Sequence, residues 1–388
     1  MQHSSPVTVD TANRMLEEIA ARVVPTGGRK VDKPLVLYGA GNLGRMAKAY
    51  FSFLGIPVTL VLDIQPGIHR ASSFWAGTEI CHPRDVPPST RQSSLLVVCV
   101  ANSPFNGIAA PLRVQGWEDI APFYDVSEAY TDSHPLSNGW FTGNLDPTDL
   151  AGITACFSRW EDTVSRAHHL QFIAWHALRE EWSFDDAPVS TDDRYFIPEI
   201  LKEMHGNETF VDAGAHHGEV VTRFLQLVGN NFRSVFAIEP DPENLNRLRA
   251  QFEAFPLEVS QRMTVLDNAL GAEETVRPFH AGLDYASQFS TQGLAATQVR
   301  RMDDLSIPAT FLKLHLEGWE QDAIRGALQT ICRQRPMIAV AAYHKRSGLW
   351  ALPSQIMTSL DSYAFYFRLH SWQGTGAVVY AIPREQRK

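Results

Sequence analysis

Residues Phe210-Val-Asp-Ala-Gly-Ala-His-His-Gly218 decide the fold. A short apolar strand ends in Asp212, a glycine-bearing turn follows, and a helix opens near Glu219. A strand that turns sharply into a helix at glycines is the first unit of an open α/β sheet, and such sheets bind ligands at the carboxyl ends of their strands. Gly214 is expected where the backbone approaches a ligand so closely that a Cβ would block it. Gly218 is expected to let the first helical turn pack close to the strand. The spacing Asp-x-Gly-x-x-x-Gly lacks the Gly-Lys-Ser/Thr of a phosphate-cradling P-loop. An acid inside the turn repels a pyrophosphate and suits a cation such as the ammonium and sulfonium of S-adenosylmethionine. An ordinary strand-turn-helix corner with no ligand satisfies the same pattern.

From this corner the chain alternates. Strands are expected at 209–211, 234–238, 263–266, 311–316 and 337–342, with helices near 219–228, 242–252 and 319–332. The end differs: 363–369 and 377–382 are β-rich runs joined by Gly374-Thr375-Gly376, a hairpin signal. A parallel α/β sheet finished by an antiparallel hairpin is the layout of the seven-stranded methyltransferase sheet.

Glu239 ends the second strand, 21 positions after Gly218. A carboxylate there is placed to accept both ribose hydroxyls of a nucleoside. Asp267 and Asn268 follow the third strand, where they would meet an adenine edge or simply form an Asx turn. The stretch Phe311-Leu-Lys-Leu-His-Leu-Glu-Gly318 alternates, so Lys313, His315 and Glu317 share one face. A central parallel strand should be apolar on both faces, and polar groups near its carboxyl end mark a cleft. His315 is the candidate general base, with a reference pKa of about 6.5; a hydrogen-bonded core histidine is the competing reading. His344, after the fifth strand, is the second candidate. His216 and His217 bring further imidazoles to the same rim, but no ligand spacing matches a metal site and no metal is expected.

These residues also carry a resemblance. From Asp193 to about Pro383 the chain resembles an FkbM-type S-adenosylmethionine-dependent methyltransferase, through Tyr195-Phe-Ile-Pro-Glu199, Phe210-Val-Asp-Ala-Gly-Ala215 with Gly218, Phe236-Ala-Ile-Glu-Pro-Asp241, Met302-Asp-Asp-Leu305, Leu312-Lys-Leu-His-Leu-Glu-Gly318, Arg325-Gly-Ala327 and Arg335-Pro336. The resemblance implies a Rossmann-like methyltransferase fold and O-methylation of a hydroxyl on a sugar, glycan precursor or secondary metabolite. It carries the cofactor role onto Asp212, Gly214, Gly218 and Glu239, and the turn between the glycines, Ala215 and His216, is expected to hold the cofactor with them. Two departures stand out: the family usually has Asp where His315 stands, and commonly Asn and an apolar residue where His216 and His217 stand.

A second glycine turn lies upstream. Gly39-x-Gly41-x-x-Gly44 follows a strand and opens a helix, and Asp63 ends the next strand 19 residues past Gly44. That spacing meets the dinucleotide fingerprint. Three roles stay open: holding the nucleotide or sugar part of a substrate, binding NAD(P) in an oxidoreductase, or scaffolding. The stretch 35–124 also resembles the nucleotide-binding-type domain fused to some sugar-modifying enzymes, through this turn, Leu54-Gly-Ile56 and Gly77-Thr-Glu-Ile80. A non-catalytic nucleotide-binding protein is the third overall reading.

At 388 residues the chain calls for more than one domain. The expected division is an N-terminal helix and linker (1–33), a small Rossmann-like domain (34–130), a linker and helical connector (131–205), and the methyltransferase domain (206–388). The whole is an α/β chain of two Rossmann-like domains. A net charge of −9 argues against a nucleic-acid or anionic-membrane binder. Four scattered cysteines with no Cys-x-x-Cys, and no signal pattern or spanning apolar run, suit a cytoplasmic enzyme with a small-molecule or sugar-nucleotide substrate, alone or as a homo-oligomer.

Overall fold

Two sheets organise the chain. The computed structural model describes residues 1–3, 6–22, 27–136 and 138–384. Strands Leu35–Tyr38, Val58–Leu62, Ile80–Cys81, Leu95–Val98 and Asp119–Pro122 (β1–β5) pair in the order β3-β2-β1-β4-β5, all parallel. β4 reads Leu-Leu-Val-Val and is buried throughout, as a strand covered on both faces must be. β3 has only two residues, too few to show a period, and was not expected from the sequence.

The larger sheet comprises Thr209–Ala213, Ser234–Ile238, Met263–Leu266, Phe311–Leu314, Met337–Ala341, Tyr363–Leu369 and Ala377–Pro383 (β6–β12). Its order is β8-β7-β6-β9-β10-β12-β11. The first five strands run parallel and the last two form the antiparallel hairpin. Strand order reverses between β6 and β9, so the loops leaving these strands at their carboxyl ends frame a crevice. β9 stops at Leu314, two residues short of expectation, because Glu317 (φ 48°) and Gly318 (φ 94°) turn the chain away.

The stretch expected to be a connector packs into this sheet's core. Phe157, Trp160, Leu170, Phe172 and Ile173 share one buried cluster with Phe365, Phe367 and Leu369 of β11. Trp140 donates from Nε1 to the Tyr343 carbonyl at 2.8 Å. The N-terminal helix runs Val9–Ala20 and is capped by Thr8, whose hydroxyl accepts from Thr11 N–H. Its face Ala12, Met15, Leu16 and Ile19 joins the same core. Val23 and Pro25, in the expected helix end and linker, lie outside the described residues.

Between β8 and β9 the chain builds a further, four-stranded sheet from Ala269–Leu270, Thr275–His280, Gln288–Phe289 and Ala295–Arg300. The sequence reading placed no strands here. The hairpin turn of β11–β12 reaches the other sheet: Trp372 N–H donates to the Ala101 carbonyl at 2.7 Å, and Gln373 Nε2 to the Val100 carbonyl at 2.6 Å. No helix among the described residues is long and apolar enough to cross a membrane.

Candidate active site

Glu239 is the centre of a narrow cleft. It directly follows β7, is buried, and accepts the N–H of His216 at 2.8 Å and that of Asp241 at 3.0 Å. Each carboxylate oxygen has lone pairs left for a ligand hydroxyl. Burial pushes its pKa up, against the pull of those two backbone bonds. Ile238, Asn268, Leu270, Phe279, Phe289 and Trp319 complete the walls, giving a flat apolar slot beside the acid. The slot holds only about 80 Å³, well below the roughly 300 Å³ at which ligand pockets begin. A strap, 282–287, closes it. Asp241 Oδ2 accepts Gly282 N–H at 2.7 Å and the Ser287 hydroxyl at 2.6 Å, while Asp241 Oδ1 caps the helix Pro242–Glu253. The strap, Asp241, Phe279, Phe289 and Trp319 were absent from the sequence-derived site. Only Asp241 carried a signal, as the helix cap.

Asp267 is not in the cleft. Its side chain is 74 % exposed and faces Arg249 at 3.9 Å, because β8 ends one residue earlier and the chain swings outward. Asn268 does line the cleft, though its amide also donates to the Ala269 carbonyl.

Asp212 does not reach either cavity. It is fully buried beside Lys313, Nζ to Oδ1 2.7 Å, and Lys313 also donates to the Gly214 carbonyl at 2.8 Å. Burial works to raise the Asp212 carboxyl, with Lys313 pulling it down; burial works to lower Lys313, but Asp212 and Tyr195 outweigh it and keep the ammonium charged. The turn amides are also spent internally: Gly214 and Ala215 N–H both donate to the Ile238 carbonyl, and Gly218 N–H to the Ala215 carbonyl. Gly214 (φ 76°) is required by the protein, not by a ligand, since a Cβ there would stand 1.9 Å from the His315 carbonyl. Gly218 makes room for Leu248 and Phe252 of the next helix rather than for the strand.

His315 sits just past β9 with both ring nitrogens engaged. Nδ1 is 2.7 Å from the Tyr195 hydroxyl, and Nε2 is 3.2 Å from Glu317 Oε1 and 3.1 Å from the Tyr343 hydroxyl. A carboxylate only accepts, so Nε2 carries the proton and Nδ1 accepts from Tyr195. Burial pushes the imidazole down to about 3, so it is neutral. Glu317 is held down to about 2, since His344 and His315 outweigh the effect of burial. The sharp turn at Glu317 is what brings its carboxylate back onto His315.

His344 is not available as a base. It is buried, lines neither cavity, and holds Glu317 Oε2 at 3.2 Å and Asn138 Oδ1 at 3.1 Å through Nδ1. Burial alone would lower its pKa, but Glu317 raises it overall, and His344 in turn holds the Glu317 carboxyl down.

His216 donates to Asp284 at 2.6 Å and to Glu219 at 3.3 Å. With a carboxylate on each nitrogen it is an imidazolium, raised to about 9 although burial opposes this. His217 stacks on it at 3.6 Å and meets Asn244 Oδ1 at 3.1 Å, but lines neither cavity. His216, His217 and Glu219 form one group with donor atoms within 4.8 Å of one another, and His315, Glu317 and His344 form another. Either set has ligand types able to hold a divalent ion; both are also internally balanced as ion pairs.

The cleft shares Gly214, His216, Tyr285 and His315 with a much larger cavity of about 1340 Å³. Tyr195, Lys313 and Tyr343 line its one side, and Gly39, Gly41 and Asp63 its other. The two glycine turns, with Gly39 and Gly214 175 residues apart in sequence, therefore face one space.

Residues 212–367 match the family model described as the methyltransferase FkbM domain. This part of the chain is an FkbM methyltransferase domain. A solved structure described as methyltransferase FkbM from Methylobacillus flagellatus aligns over 96 % of this chain and 98 % of its own, with a TM-score of 0.63 and 18 % identity, so the likeness of fold extends beyond the methyltransferase domain. Two others align over about half the chain: a precorrin-6y C5,15-methyltransferase from Geobacter metallireducens (51 % of this chain, 95 % of that one, TM-score 0.31, 15 % identity) and Aeropyrum pernix fibrillarin with bound S-adenosyl-L-methionine (47 % and 68 %, 0.31, 8 %). No curated protein sequence matches the chain. The enzyme is an S-adenosylmethionine-dependent methyltransferase by class.

Proposed function

We propose that the chain binds S-adenosylmethionine with its nucleoside in the Glu239 cleft and methylates a hydroxyl presented from the adjoining cavity, on a sugar, glycan precursor or secondary metabolite. The observation that carries this reading is the meeting of the two spaces at His315, whose neutral imidazole is oriented by Glu317. The donor set fits the cofactor: a buried carboxylate with free lone pairs beside aromatic walls suits a ribose and a purine, provided the strap 282–287 moves outward. When bound, the cofactor supplies an electrophilic methyl group.

Glu239 holds the ribose hydroxyls. Asn268 and Leu270 bound the purine end. His315 receives the acceptor's proton at Nδ1, the lone pair to which the Tyr195 hydroxyl donates. A resting pKa of about 3 is no obstacle. An alcohol oxygen that is gaining a carbon becomes a strong acid, so a weak base in the right place is enough. Glu317 then steadies the imidazolium. Lys313 is not a proton carrier; with Asp212 it fixes the carbonyls of the turn. Much of the rate comes from holding the acceptor oxygen in line. Transfer of a labelled methyl group to a polyol-containing extract fraction tests the activity. No labelled product from any fraction, with S-adenosylhomocysteine bound, would leave a nucleotide-binding protein without chemistry.

A further inference from the structure

The methyl-transfer reading leaves the upstream glycine turn unused, and its three glycines differ. Gly39 (φ 102°) cannot carry a Cβ, which would meet Val100 Cγ2 at 2.9 Å, and at Gly44 a Cβ would stand 2.0 Å from the Gly39 carbonyl. The protein itself explains both. Gly41 is different: its φ is −74°, open to any residue, and a Cβ there meets nothing within 4 Å. Its open side is the large cavity. The position is bare where a side chain would stand between the backbone and whatever enters. Gly41 also precedes the twelve-residue helix Asn42–Phe53, and no side chain caps that helix, leaving its first N–H groups directed at the same space.

Charge across the cavity points the same way. Asp193 is paired with Arg223 at 2.6 Å and Glu219 with His216 at 3.3 Å. Asp63 accepts the N–H of Ala40 at 2.9 Å and of Gln65 at 2.8 Å, and its Oδ2 faces His69 Nε2 at 3.3 Å. Arg194 lines the cavity and pairs with no carboxylate among the described residues; its hydrogen-bond partner is Tyr195. Asp192 lines the cavity as well, so what sets Arg194 apart is only that its guanidinium is not committed to a carboxylate. Beside Asp63, Ile64 also lines the cavity and is 65 % exposed, an apolar surface next to an acid. The volume of about 1340 Å³ exceeds the roughly 300–1,000 Å³ of a pocket for one compact ligand.

We propose that the acceptor is linked to a nucleoside diphosphate: the diphosphate lies on the Gly39–Gly44 turn, the ribose on Asp63, the base against Ile64, and the attached hydroxyl-bearing group reaches across to His315. The anion site stands on its own observations; the hydroxyl's fate rests on the methyl-transfer reading.

Isothermal titration of the full chain with UDP, ADP, GDP and CDP tests this, with S-adenosylhomocysteine titrated in parallel. At least one diphosphate binds, and Gly41→Val weakens it by about tenfold or more while leaving S-adenosylhomocysteine affinity unchanged. Arg194→Gln is the second variant and weakens the same diphosphate. No binding of UDP, ADP, GDP or CDP to the wild type overturns the proposal, as does equal binding by Gly41→Val. NADH binding that no diphosphate displaces overturns it in favour of a dinucleotide. A diphosphate that binds where S-adenosylhomocysteine does not would sink the methyl-transfer reading and leave the anion site standing.

Discussion

Lys313 Nζ lies 2.7 Å from Asp212 Oδ1 with both side chains shut away from solvent, and the two residues are direct partners in the register of β6 and β9. The acid that the turn seemed to offer to a ligand is thus answered by the neighbouring strand. Removing one member of a buried pair costs about 3–5 kcal/mol because the other charge is left alone. Lys313→Met should therefore lower the urea midpoint strongly, and Lys313→Met with Asp212→Leu should recover most of the loss. A single variant as stable as the wild type would show that Asp212 is not held by Lys313.

His315→Ala should reduce kcat by about 100-fold or more, the scale of a lost general base, with S-adenosylhomocysteine affinity held within about threefold. Tyr195→Phe should cost much less, because it removes only the group now occupying Nδ1. A Tyr195→Phe loss as deep as that of His315→Ala would make Tyr195 the proton carrier instead. Normal turnover in His315→Ala would remove His315 from the reaction altogether.

Glu239→Ala should weaken S-adenosylhomocysteine by about tenfold or more, since hydrogen bonds to a charged acceptor contribute roughly 1.5–3 kcal/mol. Calorimetry reads this directly, and circular dichroism checks that the β6–β7 corner still folds. Undiminished binding would empty the cleft of its assigned role.

The His216–Asp284 pair acts as a latch on the strap 282–287. His216 is raised to about 9 in the folded chain, from an ordinary value near 6.5. The stabilisation it confers is complete below about 6.5 and is lost as pH rises through 9. Hydrogen exchange of the strap, corrected for intrinsic rates, should therefore accelerate above pH 9 or so. Asp284→Asn should reproduce that state at pH 7 and speed S-adenosylhomocysteine association. Strap exchange that is indifferent to both changes would mean that Asp241, not His216, holds it shut.

Period and turn chemistry made every strand of both sheets but the two-residue β3 legible, because a buried parallel strand leaves a run of apolar residues and a hairpin leaves glycines. Glu239 was legible for the same reason: its place is set by distance along a βαβ unit. What escaped was whatever depends on meeting across the fold. The strict alternation of Lys313, His315 and Glu317 describes a strand, but the strand ends at Leu314 and a left-handed residue at Glu317 makes the contact with His315 that alternation alone would forbid. His344 looked free because its burial by Asn138 and Glu317 comes from segments far off in sequence. Asp212 looked like a ligand because its cation lies 101 residues away. The small sheet and its strap left no clear period, being short strands with one wet face.

The hairpin turn at Trp372 and Gln373 grips the loop after β4 through Ala101 and Val100. On the ribosome, the N-terminal sheet emerges early and can fold as it appears. Part of the wall opposite its glycine turn, His370, Ser371 and Thr375, arrives only with the last tenth of the chain. A nascent chain stalled before β12 would lack the strand that joins β10 to β11, so the large cavity is completed at release rather than during synthesis. Late-acting C-terminal truncations should therefore strip the enzyme of its acceptor while leaving the first sheet intact.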